Sequence, residues 1–135
     1  MKLLLDTHII IWALTDDNRL SDAAREMILS TDHIVLVSAA SFWEISMKNQ
    51  KAPEKCPYDE KIIFDYCKEA GFEMLPVLPE HVFALRSLKI KEGQCLANYD
   101  PFDRIIISQA KAEDAWFLSH DNIFSRYDEK CIKLI

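Results

Sequence analysis

Glycine is almost missing: the 135-residue chain contains two, Gly71 and Gly93. A P-loop or a dinucleotide-binding turn needs several glycines within a few positions, so both are excluded. Phosphate, if it is bound, must be held by a metal and not by a nest of backbone amides. Cysteine is sparse too. Cys56, Cys67, Cys95 and Cys131 are widely spread with no Cys-x-x-Cys pair, which argues against a zinc site and fits free thiols in a reducing cytosol. No apolar run approaches the roughly twenty residues of a membrane span, and the N-terminal run before Asp6 is too short for a signal peptide. The expectation is a soluble, cytoplasmic protein with no membrane partner. Positive charge is in deficit, with 16 Lys and Arg against 22 Asp and Glu and a net charge of -6. That excludes binding nucleic acid by overall attraction. Phosphodiester chemistry remains open, because a carboxylate site adds negative charge that a bound ion offsets.

What is present reads as one domain spanning 1–135. Half of the residues are hydrophobic, and a chain of this length buries roughly two-thirds of its unfolded surface. Lys2 to Leu5 and Ile34 to Val37 are short apolar runs of the kind a strand buried on both faces requires. Phe72 to Leu78, Ala115 to Ser119 and the edge run Cys131 to Ile135 complete five candidate strands. Between them the spacing predicts helices over Thr7–Leu14, Asp22–Leu29, Ala39–Gln50, Tyr58–Ala70, Glu80 to about Lys89 and Pro101 to about Lys111, with a short helix at Asn122–Tyr127. Ser21 and Ser38 are suited to cap two of them, and Gly71 to stop another. Lys91 to Tyr99 reads as an exposed polar connection. Strands alternating with helices give an α/β fold: three layers, α/β/α, around a central parallel sheet of four to five strands. The aromatic residues Phe42, Trp43, Phe102 and Trp116 read as core, and no single exposed apolar face stands out.

The informative residues are acidic. Asp6 ends the first strand, Glu44 lies in the helix after the second, Asp103 opens the Pro101 helix and Asp121 follows Ser119. The carboxyl ends of parallel strands form the ligand crevice, and carboxylates gathered there repel one another unless a hard divalent cation lies between them. Each acid also has an ordinary account. Asp6, Asp100 and Asp121 are good helix N-caps, Asp103 is a favourable first-turn acid, and Glu44 pairs naturally with Ser41 or Lys48. Capping alone does not favour acid over Ser or Thr at every strand end, however. Glu44 sits past the first turn among Phe42, Trp43, Ile45 and Met47, where a carboxylate needs a partner. The joint pattern therefore reads as a Mg2+ (or Mn2+) site serving phosphodiester hydrolysis. Thr7 and Ser119 are small hydroxyls placed to orient a ligand or water. Arg104 either contacts phosphate or makes an ion pair, and Lys48, Lys51, Lys89 and Lys91 are candidates for a basic rim. His8 and His120 adjoin the acids, but Ser119-His120-Asp121 is no triad, because adjacent residues cannot form that relay.

At these residues the chain resembles the PIN-domain proteins, and among them the VapC-type toxins of prokaryotic toxin–antitoxin pairs. The matching stretches are Leu4-Leu5-Asp6-Thr7-His8, Ser41-Phe42-Trp43-Glu44-Ile45 with Lys48, Asp100-Pro101-Phe102-Asp103-Arg104, and Ser119-His120-Asp121 with Phe124 and Tyr127. The resemblance implies a Mg2+-dependent endoribonuclease acting on RNA, with Asp6, Glu44, Asp103 and Asp121 as an acidic quartet. It implies a homodimer and a cognate antitoxin that blocks the site. Asn98-Tyr99 stands where relatives often have a His, and Gln50-Lys51-Ala52-Pro53 replaces a common Gly-Lys-Leu; both are rim features that bear on substrate choice. Two rivals remain. An aspartate-based phosphoryl-transfer protein is disfavoured because no second acid stands two residues after Asp6. A non-catalytic module that keeps the fold and acts by binding is disfavoured by the presence of all four acids.

Overall fold

Leu3, Leu4 and Leu5 have no exposed surface, because the strand they form is flanked by a strand on each side and covered on each face. The structure, a computed structural model, describes residues 1–95 and 99–135. In chain order the elements are β1 (Lys2–Leu5), α1 (Thr7–Leu14), α2 (Asp22–Leu29), β2 (Ile34–Ser38), α3 (Ala39–Lys51), α4 (Glu60–Glu69), β3 (Glu73–Leu75), α5 (Pro79–Ala84), α6 (Pro101–Ala112), β4 (Trp116–Ser119) and β5 (Ile132–Leu134). Short 3-10 turns follow α5 at Leu85–Ser87 and β4 at Asn122–Arg126. The sheet has five strands in the order β3-β2-β1-β4-β5, and every pairing is parallel.

Strand alternation sorts the core into two halves. Leu3 and Leu5 point to one face, with Ile9, Ile10, Ala24, Ile45 and Ile63 of the helices packed there. Leu4 points to the other, against Ile106, Ile107, Ala110 and Phe124. The result is the expected α/β/α arrangement. From β1 the chain steps outward through β2 to β3, then returns to place β4 on the opposite flank of β1. That reversal opens a crevice at the carboxyl ends of β1 and β4.

Four boundaries differ from the sequence-based expectation, each for a local reason. Asp59, whose side chain accepts from the backbone of Lys61 and Ile62, starts α4 two residues later and leaves Tyr58 in the preceding loop. β3 ends at Leu75, since Pro76 has no N–H to continue the ladder. The helix expected to reach about Lys89 stops at Ala84 and tightens into its 3-10 turn, and the segment after Asp121 is wholly 3-10. Of the expected connection Lys91 to Tyr99, residues 96–98, including the Asn98 departure, lie outside the described residues; 91–95 are exposed. Trp43, read as core, is 63% exposed, and Met47 on the same helix is 49% exposed. Spacing alone cannot say which side of a helix meets the sheet, and here Ser41, Glu44 and Ile45 take the inner side.

Buried polar residues lock α6 to its surroundings. Ser38 donates to the Gln109 amide oxygen, and Gln109 donates to the Pro76 carbonyl at 3.1 Å. His81, fully buried, accepts the Leu78 N–H at Nδ1 at 3.0 Å. Its Nε2 must then carry the proton, which it directs at Glu113 2.9 Å away. Ser108 donates to the His81 carbonyl. Replacing His81 with Ala strands both partners and leaves a void, so we expect a loss of about 2–3 kcal/mol. Urea unfolding measures it, and a loss near zero would show the lock to be idle.

Candidate active site

Asp6 reaches the crevice because β1 ends one residue before it and α1 begins one residue after. Its carboxylate is 4% exposed and is oriented on both oxygens, accepting the Thr7 N–H at 2.7 Å and the Ser119 hydroxyl at 2.7 Å. The backbone N–H of Asp6 donates to the Leu118 carbonyl at 2.9 Å, which ties the ends of β1 and β4 together.

Glu44 arrives from the second turn of α3 and is 3% exposed. The Thr7 hydroxyl lies 2.8 Å from Glu44 Oε1 and 2.9 Å from the Ser41 hydroxyl. Having one hydrogen to give, Thr7 donates to the carboxylate and accepts from Ser41. The other oxygen of Glu44 takes the Lys48 ammonium, one turn on in the same helix. Lys48 is held above the usual ammonium range: partial burial works against its charge, but the hydrogen bond to Glu44 and the nearby charges of Glu44, Asp100 and Asp103 outweigh it.

Asp103 comes from the first turn of α6, where Asp100 caps the helix by accepting the Phe102 N–H at 2.8 Å and Pro101 occupies the first position. Its carboxyl is pushed up to about 8, first by burial and then by the charges of Asp6, Asp100 and Glu44, with Lys48 only partly opposing them. Burial likewise pushes Asp6 up, against the Ser119 hydrogen bond and with the Glu44 charge adding to the rise. Asp6, Glu44, Asp100 and Asp103 thus form one electrostatic group with a single bonded cation.

The remaining acid stands apart from that group. Asp121 is exposed and caps the last 3-10 turn, accepting the Ile123 N–H at 3.0 Å. Its backbone N–H donates to the Ser119 hydroxyl at 3.2 Å, the same hydroxyl that donates to Asp6, so among the described residues it reaches the group only through Ser119. Arg104 directs its guanidinium at the Leu85 carbonyl, 3.4 Å away, and toward Tyr127, inside the fold. His8 and His120 both pack on Trp12, with ring centroids 6.0 and 5.5 Å away. Ser41, read from the sequence as a partner for Glu44, meets it through the Thr7 hydroxyl, which lies between them.

The donor set is all carboxylate oxygen, the chemistry a hard divalent cation prefers, and Lys48 only partly opposes the acids that add to the effect of burial on Asp103. As placed, no three His, Cys, Asp or Glu side chains among the described residues are close enough to hold an ion. Glu44 is turned to Lys48, and Asp6 is turned to Thr7 and Ser119. Donor chemistry and charge fit the metal; the side chains have still to converge on it.

The PIN domain family model matches residues 3–130. No curated protein matches the sequence. Among solved structures the fold is similar to VapBC2 from Rickettsia felis bound to a DNA fragment from its promoter, with a TM-score of 0.68, 18% identity and coverage of 99% of this chain and 98% of that one. DNA-bound VapBC from Salmonella typhimurium gives a TM-score of 0.68 at 18% identity over 98% and 97% of the two chains. A toxin–antitoxin complex from Klebsiella pneumoniae gives 0.61 at 14% identity over 97% and 95%.

Proposed function

Because the chain belongs to the PIN domain family, we propose that it is a metal-dependent endoribonuclease, the toxin of a toxin–antitoxin pair. The observation that carries this reading is Asp103, buried at the carboxyl edge of a parallel sheet and raised to about 8 first by that burial and then by the charges of Asp6, Asp100 and Glu44. Asp6 and Asp103 would be the principal ligands of Mg2+ or Mn2+, with Glu44 direct or through water. Asp121 would join as an outer member by giving up its cap. Bound there, the ion would polarise a phosphoryl oxygen and activate water for attack on phosphorus. Thr7 and Ser119 hold Glu44 and Asp6 in orientation, and Asp100 fixes the helix end that presents Asp103. Lys48 neutralises part of the cluster and shields Glu44.

An antitoxin partner is supported by the named contents of the similar structures, which are toxin–antitoxin complexes. A homodimer is proposed with it. An apolar groove of about 370 Å3, lined by Trp43, Val77, Val82 and Phe102 beside the exposed Phe83, is the kind of surface that assembly covers. A cytoplasmic location is proposed as well, a reducing setting in which the buried Cys67 stays a free thiol. Among the described residues no helix is long and apolar enough to cross a membrane.

The test uses the protein freed of any antitoxin. Structured RNA should be cut with Mg2+ or Mn2+, cutting should stop in EDTA, and excess Mn2+ should restore it. Cleavage that continues in EDTA would defeat the proposal. The alternative is a non-catalytic module that keeps the fold and acts by binding. Failure of every divalent ion to support cleavage would establish that reading instead.

A further inference from the structure

The chain carries a net charge of -6, yet one groove of about 480 Å3 beside the acidic cluster is lined by Arg19, Lys48, Lys51 and Lys55 and by no carboxylate. That volume lies within the ~300–1,000 Å3 of small-ligand sites. Thr7 and Lys48 belong both to this groove and to the acidic cluster, so the two are continuous. A second cavity, at the opposite end of the sheet, mixes Lys89 and Lys111 with Asp114, Asp128 and Glu129. Of the lysines expected to form a basic rim, Lys48 and Lys51 line the groove, and Lys89 and Lys91 do not.

The groove's cations differ in availability. Asp17 grips Arg19 through two hydrogen bonds, at 3.1 and 2.7 Å. Lys48 is bound to Glu44. Lys51 and Lys55 are exposed and, among the described residues, have no ion-pair partner. The groove's rings differ as well: the exposed His8 imidazole is stacked on Trp12 at 6.0 Å between centroids. Trp12 is 9% exposed and already covered, with the Arg19 guanidinium 4.9 Å from its ring centre. Tyr58, left in the loop before α4, is half-buried and keeps part of its ring at the groove wall.

We infer that this groove is the track for single-stranded RNA leaving the acidic cluster, with Lys51 and Lys55 on successive phosphates and Tyr58 stacked on a base. Two unpaired ammonium groups beside the Tyr58 ring match the alternation of charge and flat surface along such a strand. An acidic protein segment shares the charge but offers no base to stack. The inference rests on the nuclease reading for its substrate, while its test is independent of catalysis.

Binding of a short fluorescein-labelled oligouridine is followed by anisotropy across a salt series, with Ca2+ present and probe integrity checked on a gel. Lys51→Gln with Lys55→Gln should weaken binding about tenfold and flatten the log-affinity against log-salt slope by about 1.4, two single-strand phosphate contacts' worth. Tyr58→Ala should weaken binding roughly tenfold with the slope unchanged. Unaltered thermal midpoints confirm that the variants fold. If the double variant keeps both affinity and slope, the assignment is overturned, and the same follows if it keeps RNA and loses only an acidic peptide. Wild-type protein that binds as described but cuts no RNA with any ion leaves the groove standing and removes the nuclease reading. Cleavage with groove variants that bind normally does the reverse.

Discussion

Asp103→Asn should abolish cleavage and at the same time make the metal-free protein more stable at neutral pH. The loss follows from removing a principal ligand, and Asp6→Asn should match it. A drop of about a thousandfold in rate is the scale of losing one strong electrostatic contributor to phosphoryl chemistry. The gain follows from linkage. The Asp103 carboxyl sits near 8 in the fold against 3.8 unfolded. Between those values the folded form holds a proton that the unfolded form has released, so stability falls as pH rises from about 4 to about 8. Asp6, raised in the same direction, steepens the fall. Asn carries no charge and flattens it. Because Asp103 is partly exposed, solvent screening cuts the gain to about 1–3 kcal/mol, or about 3–8 °C in thermal midpoint. Melting both proteins in EDTA at pH 5 and pH 8 decides the matter. A variant no more stable than wild type at pH 8 would show that the acids do not crowd one another.

Lys48→Met should have the opposite effect on stability and should sharpen the response to metal. Removing this ammonium leaves Glu44, 3% exposed, with only the Thr7 hydroxyl on one oxygen. Breaking a fully buried pair costs about 3–5 kcal/mol; with Lys48 half-exposed, about 1–3 kcal/mol is the appropriate scale. Mn2+ should restore more stability to the variant than to wild type, because the ion no longer competes with Lys48 for Glu44. Calorimetric titration with Mn2+ should show tighter binding by a few-fold or more. Equal affinity in the two proteins would mean that Lys48 is a bystander.

The parallel pairing of the strands and the helices on both faces of the sheet were legible from Lys2–Leu5, Ile34–Val37 and the helices between them; the order β3-β2-β1-β4-β5 was not. Apolar runs this short have few other ways to be buried. Caps were legible as well: Ser21, Ser38 and Asp100 each accept a backbone N–H where their positions suggested. Asp121 does so too, and its capping geometry was one of the two accounts its sequence position allowed. Boundaries at Tyr58 and Lys89 were not legible, since helical periodicity extends through residues whose backbone is claimed by a cap or a tighter turn.

Composition and spacing alone determined that this chain folds as an α/β domain, that it has no glycine cradle for phosphate, and that Asp6 and Asp121 follow strand ends. Those are local properties, set by side-chain volume, backbone freedom and period. Which acids share a field, which face of α3 meets the sheet, and that Lys51, Lys55 and Tyr58 flank the cluster were decided only by tertiary structure. Electrostatic energy depends on separation through space and on burial, and neither can be read from separation along the chain.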